Sequence, residues 1–369
     1  MRIALVVPGG VDRSGEYRVI PALLSLLRRL TAQHAVDVFA LRQEPRPAAW
    51  DLNGARVHNI GGGNVRIRAV GSICGQHRRT PFHLVQSIWS GACGSIAVCA
   101  ARLLGLPSLV HVAGGEPVAV PDIGYGGRLT WHGRLEEALV LRGASVVTAA
   151  SAGLIRTLAT LGCAARRVPL GADLDVWCPR APLRRDTRRP ARLVQVASLN
   201  RVKDQTTLLR ALAALADTGV SFETDIIGED TLGGELQALC GSFGLADRVR
   251  FHGFLPQSRM VPLVRAADVM VVSSRHEAGP LAVLEAAALG VPSVGTRVGH
   301  IAEWAPDAAL AVEVGEHRAL AAAIGALLAD EELRLRLATN AAERSLKEDA
   351  DFTARQFEAL YREVLDGPR

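Results

Sequence analysis

The stretch Arg275–Gly295, RHEAGPLAVLEAAALGVPSVG, keeps two glutamates, Glu277 and Glu285, among Ala, Leu, Val, Gly and Pro. Glu277 precedes a Gly-Pro turn, and Glu285 falls inside the helix that the run Leu281–Leu289 predicts. On the plainest reading, Glu277 complements the positive end of that helix and Glu285 occupies a solvated face. The helix is nearly all Ala, Leu and Val, so most of its sides are expected to be buried. A buried carboxylate needs hydrogen-bond donors, and the neighbouring sequence offers few. A ligand with hydroxyls supplies them, because a carboxylate accepts two bonds from a vicinal diol such as a ribose or a sugar ring. The EAGP turn brings backbone N–H groups and a helix N-terminus to one spot, which suits a phosphate. The stretch therefore reads as a seat for a sugar, a diphosphate and a ribose in a row.

Outward from this stretch, short β-branched runs alternate with longer amphipathic ones. Strands are predicted at Ile3–Val7, Val36–Leu41, Leu84–Ser87, Leu109–Val112 and Ser145–Thr148, with helices at Tyr17–Thr31, Cys93–Leu104 and Leu135–Arg142. This order predicts an α/β protein with parallel sheets covered by helices. Residues 1–178 are read as a first Rossmann-like domain. The Arg- and Pro-rich segment 179–192 is read as a linker, since proline and like charges disfavour packing. Residues 193–348 restart the alternation as a second doubly wound domain. In 349–369, Phe357, Leu360, Tyr361, Val364 and Leu365 form one apolar helical stripe. Two such domains place a ligand cleft at the carboxyl ends of their strands.

At 369 residues the chain is long enough for two such cores, and 49% hydrophobic with 21% charged residues indicates a folded protein. No apolar run reaches the roughly 20 residues of a membrane helix, and MRIALVVPGG reads as a first strand rather than a signal peptide. The six cysteines show no metal spacing and are read as reduced, mostly buried thiols of a cytoplasmic protein. Net charge is +5, compatible with phosphorylated ligands or an anionic membrane surface; no nucleic-acid motif accompanies it. Lysine occurs only at Lys203 and Lys347, every other basic residue being arginine. Where this chain merely needs charge it uses arginine, so Lys203 stands out as a compact charge suited to phosphate.

EAGPLAVLEAAALGVPSVG resembles the E-x7-E signature of retaining glycosyltransferases with the two-domain GT-B fold, closest to family 4 (group 1). VASLNRVKDQTTLLRAL is similar to that family's phosphate-binding strand–loop–helix, and VRFHGFLPQSRMVPLVRAADVMVVSSRHE to its base-binding loop and the run into the first glutamate. VPLGADLDVWCP resembles the end of its first domain, and the last helix resembles one that crosses back to that domain. The resemblance implies that Glu285 binds the ribose hydroxyls and that Glu277 faces the donor sugar near the reacting carbon. It implies that the turn Ala278–Leu281 lends backbone amides, through Gly279 and Leu281, to sugar or phosphate. Pro280 has no N–H, so one family contact is missing. Lys203 matches the diphosphate lysine, while the family's arginine position is Ser198; Arg201 is a candidate for the second charge. Phe254 lies in the base-binding loop. In PGGVDRSGEYRVIPALLSLL, Gly15 rather than Gly10 matches the glycine that approaches the donor phosphate.

In SLVHVAGGEPV, the family's sugar-facing histidine position is Ala113, and His111 reads as a core histidine. Gly115 and Glu116 form a loop on the acceptor side. The DLD of Asp173–Asp175 mimics a metal motif but matches a domain end, so it is read as structural; no metal and no cofactor are expected. The resemblance implies transfer of a sugar from a UDP- or GDP-linked donor to a hydroxyl of a glycan or lipid-linked acceptor with retention of configuration. Glu277 and Lys203 carry the chemistry. The basic stretch Asn64–Arg79 reads as a solvated loop, or as a peripheral contact with the inner face of an anionic membrane. Two further readings stand beside this one: a non-catalytic nucleotide-sugar binder, which Ala113 and Pro280 favour, and a nucleotide-sugar epimerase, which lacks the E-x7-E context.

Overall fold

The computed structural model describes residues 1–367 and shows two compact units. Unit 1 comprises Met1–Leu170 and the segment from Ala350, and unit 2 comprises Gly171–Asp349. Unit 1 contains, in order, β1 (Arg2–Val7), α1 (Pro21–Thr31), β2 (Ala35–Ala40), β3 (Ala48–Leu52), β4 (Ala55–Asn59), α2 (Val65–Arg79), β5 (Leu84–Ile88), α3 (Gly91–Leu104), β6 (Ser108–Val112), α4 (Trp131–Gly143), β7 (Val146–Ala149), α5 (Ala152–Thr160) and β8 (Arg166–Arg167). The sheet order is β3-β4-β2-β1-β5-β6-β7-β8, parallel except for the β3–β4 pair. β1 is apolar from Ile3 to Val7 because helices cover both its faces. Its Ile3, Leu5 and Val7 join Leu23, Leu27 and Leu30 of α1 on one side. Ala4 and Val6 join Ile73 of α2 and Ile96 of α3 on the other.

Unit 2 contains β9 (Ala191–Val196), α6 (Gln205–Asp217), β10 (Phe222–Ile227), α7 (Glu235–Ser242), β11 (Val249–Phe251), α8 (Gln257–Ala266), β12 (Val269–Val272), α9 (Leu281–Ala288), β13 (Ser293–Thr296), α10 (Gly299–Trp304), β14 (Ala309–Val312), α11 (His317–Ala329) and α12 (Glu331–Lys347). Its sheet, β11-β10-β9-β12-β13-β14, is wholly parallel. Successive residues of its strands again feed opposite cores, Leu193 and Ile226 with Leu208 and Ile324, Val194 and Ile227 with Met260 and Ala286.

The final helix α13 (Ala350–Asp366) belongs to unit 1. The apolar stripe explains why: Phe357, Leu360 and Tyr361 complete the core beside α1 and β1. Tyr361 Oη donates to Gln86 Oε1 in that core, and Arg29 of α1 pairs with Asp351.

The structure departs from the sequence reading in several places. Unit 1 stops at Leu170 rather than Cys178, because Ala172 and Trp177 are buried in unit 2. Residues 179–192 are not a free linker but part of unit 2. The Arg180 amide donates to Ala288 O, and Arg184 and the Arg185 amide meet the Glu332 and Glu331 carboxylates of α12, which neutralise the local charge. Asn64–Arg79 is largely helical, packing on α3 through Ala69 and Ile73 with Arg66, Ile67, Arg68, Arg78 and Arg79 exposed. Of the six cysteines only Cys93 and Cys240 are buried, although all are free thiols.

Candidate functional site

In unit 2, strands β10 and β11 are laid to one side of β9, and β12, β13 and β14 to the other. The chain thus diverges between the adjacent strands β9 and β12, and a doubly wound sheet opens a crevice at the carboxyl ends of such a pair. Lys203 follows β9 and Glu277 follows β12. Lys203 Nζ donates to Glu277 Oε1 at 2.6 Å, and Ser274 Oγ donates to the same oxygen at 2.6 Å. The Glu277 side chain is 9% exposed and that of Lys203 25%.

The surrounding loop is firmly held. Asn200 Oδ1 accepts the Lys203 amide at 3.0 Å, and Ser273 Oγ donates to the Lys203 carbonyl at 2.8 Å. Asp204, with φ +47°, caps α6 through the Thr207 amide. Gly228, after β10, lies so close to Ala197 that a Cβ would stand 2.0 Å from its carbonyl oxygen. Gly299 packs under Glu277 and Pro280, where a Cβ would stand 2.8 Å from Glu277 Cβ. Asn200, Ser274, Gly228 and Gly299 were not singled out from sequence. Their signal is only positional, each lying in a loop at a strand's carboxyl end or on the turn beside it.

Glu277 does not cap α9. Pro280 is the N-cap residue, no side-chain bond closes the helix, and its first turn holds no acid. Gly279 and Leu281 therefore flank an uncapped helix start next to Lys203's partner. Glu285 is buried, 8% exposed, rather than on a solvated face. Burial pushes its carboxyl up to about 8, against the opposing pull of Trp177 and Gln257. Trp177 Nε1, fully buried, falls short of hydrogen-bonding geometry. An acid this far raised retains capacity for donors from a ligand.

Other candidates land less centrally. Ser198 is exposed, and its carbonyl accepts Gln205 Nε2 at 3.2 Å. Arg201 turns its guanidinium to Glu235 of α7 at 3.5 Å, in solvent, so the structure does not add it to the Lys203 pair. Phe254 is half-exposed after the β11 loop, which is tied to β10 by the Gly228 amide and Gly253 carbonyl. Asp173 and Asp175 share a turn that leads into Trp177.

In unit 1, Gly15 closes a turn on the Asp12 carbonyl at φ +67°, with space around its Cα. Gly10 instead packs on Ile20. Gly115 is a packing glycine, since a Cβ would collide with the Tyr125 ring. Glu116 Oε1 accepts the Ser90 amide at 3.2 Å, while Oε2 is buried without a partner. Burial, reinforced by Glu137, raises its carboxyl to about 7. His111 is buried in the sheet, bonded to Thr148 Oγ1 at 2.9 Å, and burial drives its pKa down to about 3, so it is neutral. Among the described residues no cluster of His, Cys, Asp and Glu has the makings of a metal site.

Residues 183–344 match the family model described as glycosyl transferases group 1, and residues 19–171 match the glycosyl transferase 4-like domain. The chain belongs to the group 1 glycosyl transferases. Among the relatives of this group 1 glycosyl transferase, a D-inositol 3-phosphate glycosyltransferase of Corynebacterium jeikeium is 33% identical over 219 residues, covering 55% of this chain and 52% of that protein. An N-acetyl-alpha-D-glucosaminyl L-malate synthase of Bacillus anthracis is 30% identical over 176 residues, 47% of this chain and 45% of that protein. The chain thus spans about half the length of the curated relatives it matches. The fold is that of sucrose-phosphate synthase from Thermosynechococcus elongatus, with TM-score 0.82, 20% identity and 99% of each chain covered. It is also that of Anabaena HepE, solved with UDP-glucose, with TM-score 0.76, 18% identity and 98% and 99% covered. This is the GT-B architecture.

Proposed function

We propose that this protein is a retaining, metal-independent glycosyltransferase that moves a sugar from a UDP- or GDP-linked donor to a hydroxyl of a glycan or glycolipid acceptor. The observation that carries the reading is the Lys203–Glu277 pair at the switch point of the second sheet, beside the uncapped start of the helix that buries Glu285. Glu285 accepts the ribose hydroxyls, and the N–H groups at Gly279 and Leu281 meet the sugar or the diphosphate. The Lys203 ammonium has three donors. It spends one on Glu277 and turns the others to the departing phosphate, supplying the positive charge that a metal provides elsewhere. Glu277, held through Oε1 by Lys203 and Ser274, keeps Oε2 for the sugar hydroxyls.

In the transfer, the bond from the anomeric carbon to the diphosphate oxygen breaks and a bond to the acceptor oxygen forms on the same face. The acceptor proton passes to the departing phosphate. Stabilisation of the leaving charge is the main contribution of the protein. Glu116 is assigned to the acceptor side, and the exposed arginines of α2 to peripheral contact with an anionic membrane on its cytoplasmic face. No helix among the described residues is long and apolar enough to cross a membrane.

Calorimetric titration with UDP, GDP and ADP tests the reading. One nucleotide should bind the wild type and bind Glu285→Ala at least about tenfold more weakly, as loss of charge-assisted bonds requires. Lys203→Ala should lower release of nucleoside diphosphate from the matching donor by about 10²–10³. Lys203→Arg should not restore it, since a planar fork does not replace a point charge. A folded protein that binds none of the nucleotides sinks the proposal; binding without any sugar transfer leaves the non-catalytic binder.

A further inference from the structure

We infer that unit 1 holds a second anion site, a pocket for a phosphate-bearing ligand at the amino ends of β7 and β8. A cavity of about 580 Å³ opens there, lined by Arg128, Arg134, Arg142 and Arg166. Leu141 and Val147, both buried in the wall, contribute an apolar lining. That volume is within the range of small-ligand pockets. No acidic side chain lines it. The candidate residues Gly115 and Glu116 follow the carboxyl end of β6, whereas this pocket lies where β7 and β8 begin; the loop of Arg128 joins the two regions, the Gly127 amide donating to the Gly115 carbonyl.

Two of the four cations are pre-oriented. Arg134 Nε donates to the Arg128 carbonyl at 3.0 Å, and Arg166 makes a two-pronged pair with Glu363 of α13. Among the described residues Arg134 and Arg142 have no carboxylate partner, and they are eight apart on α4, with Ala138 between them keeping the wall low. Arg142 in the last turn of α4 complements the helix dipole, but that accounts for one of the four. In the 179–192 segment, by contrast, Arg184 meets the Glu332 carboxylate of α12. Glu137 offsets Arg128 and Glu363 pairs with Arg166, which leaves Arg134 and Arg142 as the two guanidinium groups on the wall free to meet an anion, and their fork geometry matches phosphate oxygens two at a time.

The shared chemistry is a phosphate ester, reached either as the headgroup of an anionic phospholipid or as a soluble phosphorylated compound. Calorimetry with glycerol 1-phosphate and co-sedimentation with phosphatidylcholine vesicles, with and without phosphatidylglycerol, separate the two sources. One of the two probes should bind the full chain, more weakly as salt rises. The double variant Arg134→Ser/Arg142→Ser should bind it at least about tenfold more weakly, with nucleotide binding unchanged. Ala138→Trp, which fills the cavity without removing charge, should act likewise and guards against a double variant that fails to fold. The inference is overturned if neither probe binds, or if both variants retain wild-type affinity. It is equally overturned if vesicle binding is lost only when the α2 arginines Arg78 and Arg79 are replaced.

Discussion

At the scale of single residues, Glu285 couples stability, protonation and ligand binding. Its pKa is raised from 4.5 to about 8 by burial. The native state therefore binds more protons than the unfolded state between those values, and the stability present below about pH 4.5 is lost as pH rises towards 8. Glu285→Gln removes this loss, so its melting temperature should exceed that of the wild type increasingly as pH rises through that window. A parallel pair of melting curves across pH shows that the carboxyl titrates as an unfolded one does and refutes the assignment. Hydroxyl donors favour the ionised form, so nucleotide binding at neutral pH should release a proton, and affinity should climb with pH until about 8. Titrations in two buffers of different ionisation enthalpy measure that proton directly. The same substitution that stabilises the free protein should thus weaken it as a binder. The Lys203–Glu277 contact belongs to a different kind of information. Each residue stood out alone in the sequence, one as a rare lysine and one in an apolar run. Their meeting across 74 positions depends on strand order, which no local pattern encodes.

At the scale of elements, the β3–β4 hairpin turns on Asn53 and Gly54, with φ +48° and +78°, the mirror-image turn that Asn-Gly favours. Gly54→Val should cost about 1–2 kcal/mol, because a β-branched residue resists that conformation and its Cβ would press on Thr31. Since the turn precedes β4, which runs parallel to β2 and β1, it lies at the amino ends of those strands, opposite their carboxyl ends, and sugar transfer per folded molecule should be unaffected. A drop in specific activity with unchanged melting overturns this. The Asn-Gly signal was present in the sequence, but the flanking runs are only five residues each and were passed over. The helix α2 escaped notice for another reason: it buries only Ala69 and Ile73, too few to show a stripe against its basic residues. The α13 stripe was legible, and four of its five residues, Phe357, Leu360, Tyr361 and Leu365, pack in the core of unit 1, but the resemblance and not the stripe pointed to that unit. The boundary at Leu170 was not, because Trp177 and its neighbours look alike in sequence whichever core receives them.

At the scale of the whole molecule, the two units have separate cores, and the proposed nucleotide contacts fall on unit 2. Heating should therefore give two unfolding steps, with saturating nucleotide displacing only the step of unit 2, by about 2.7 kcal/mol at a hundredfold excess over Kd. Displacement of both steps together in differential scanning calorimetry contradicts this. Unit 1 is discontinuous, whereas unit 2 is one uninterrupted stretch. On the ribosome, Ile3, Leu5 and the leucines of α1 are made before unit 2, yet Phe357 and Tyr361, which cover them, are made only after it. At roughly 5–20 residues per second, the first-made part of unit 1 keeps this apolar face open for as long as unit 2 takes to be synthesised. The nascent chain thus presents chaperones with a binding surface whose lifetime is set by the translation of unit 2, and a pause in that stretch prolongs it.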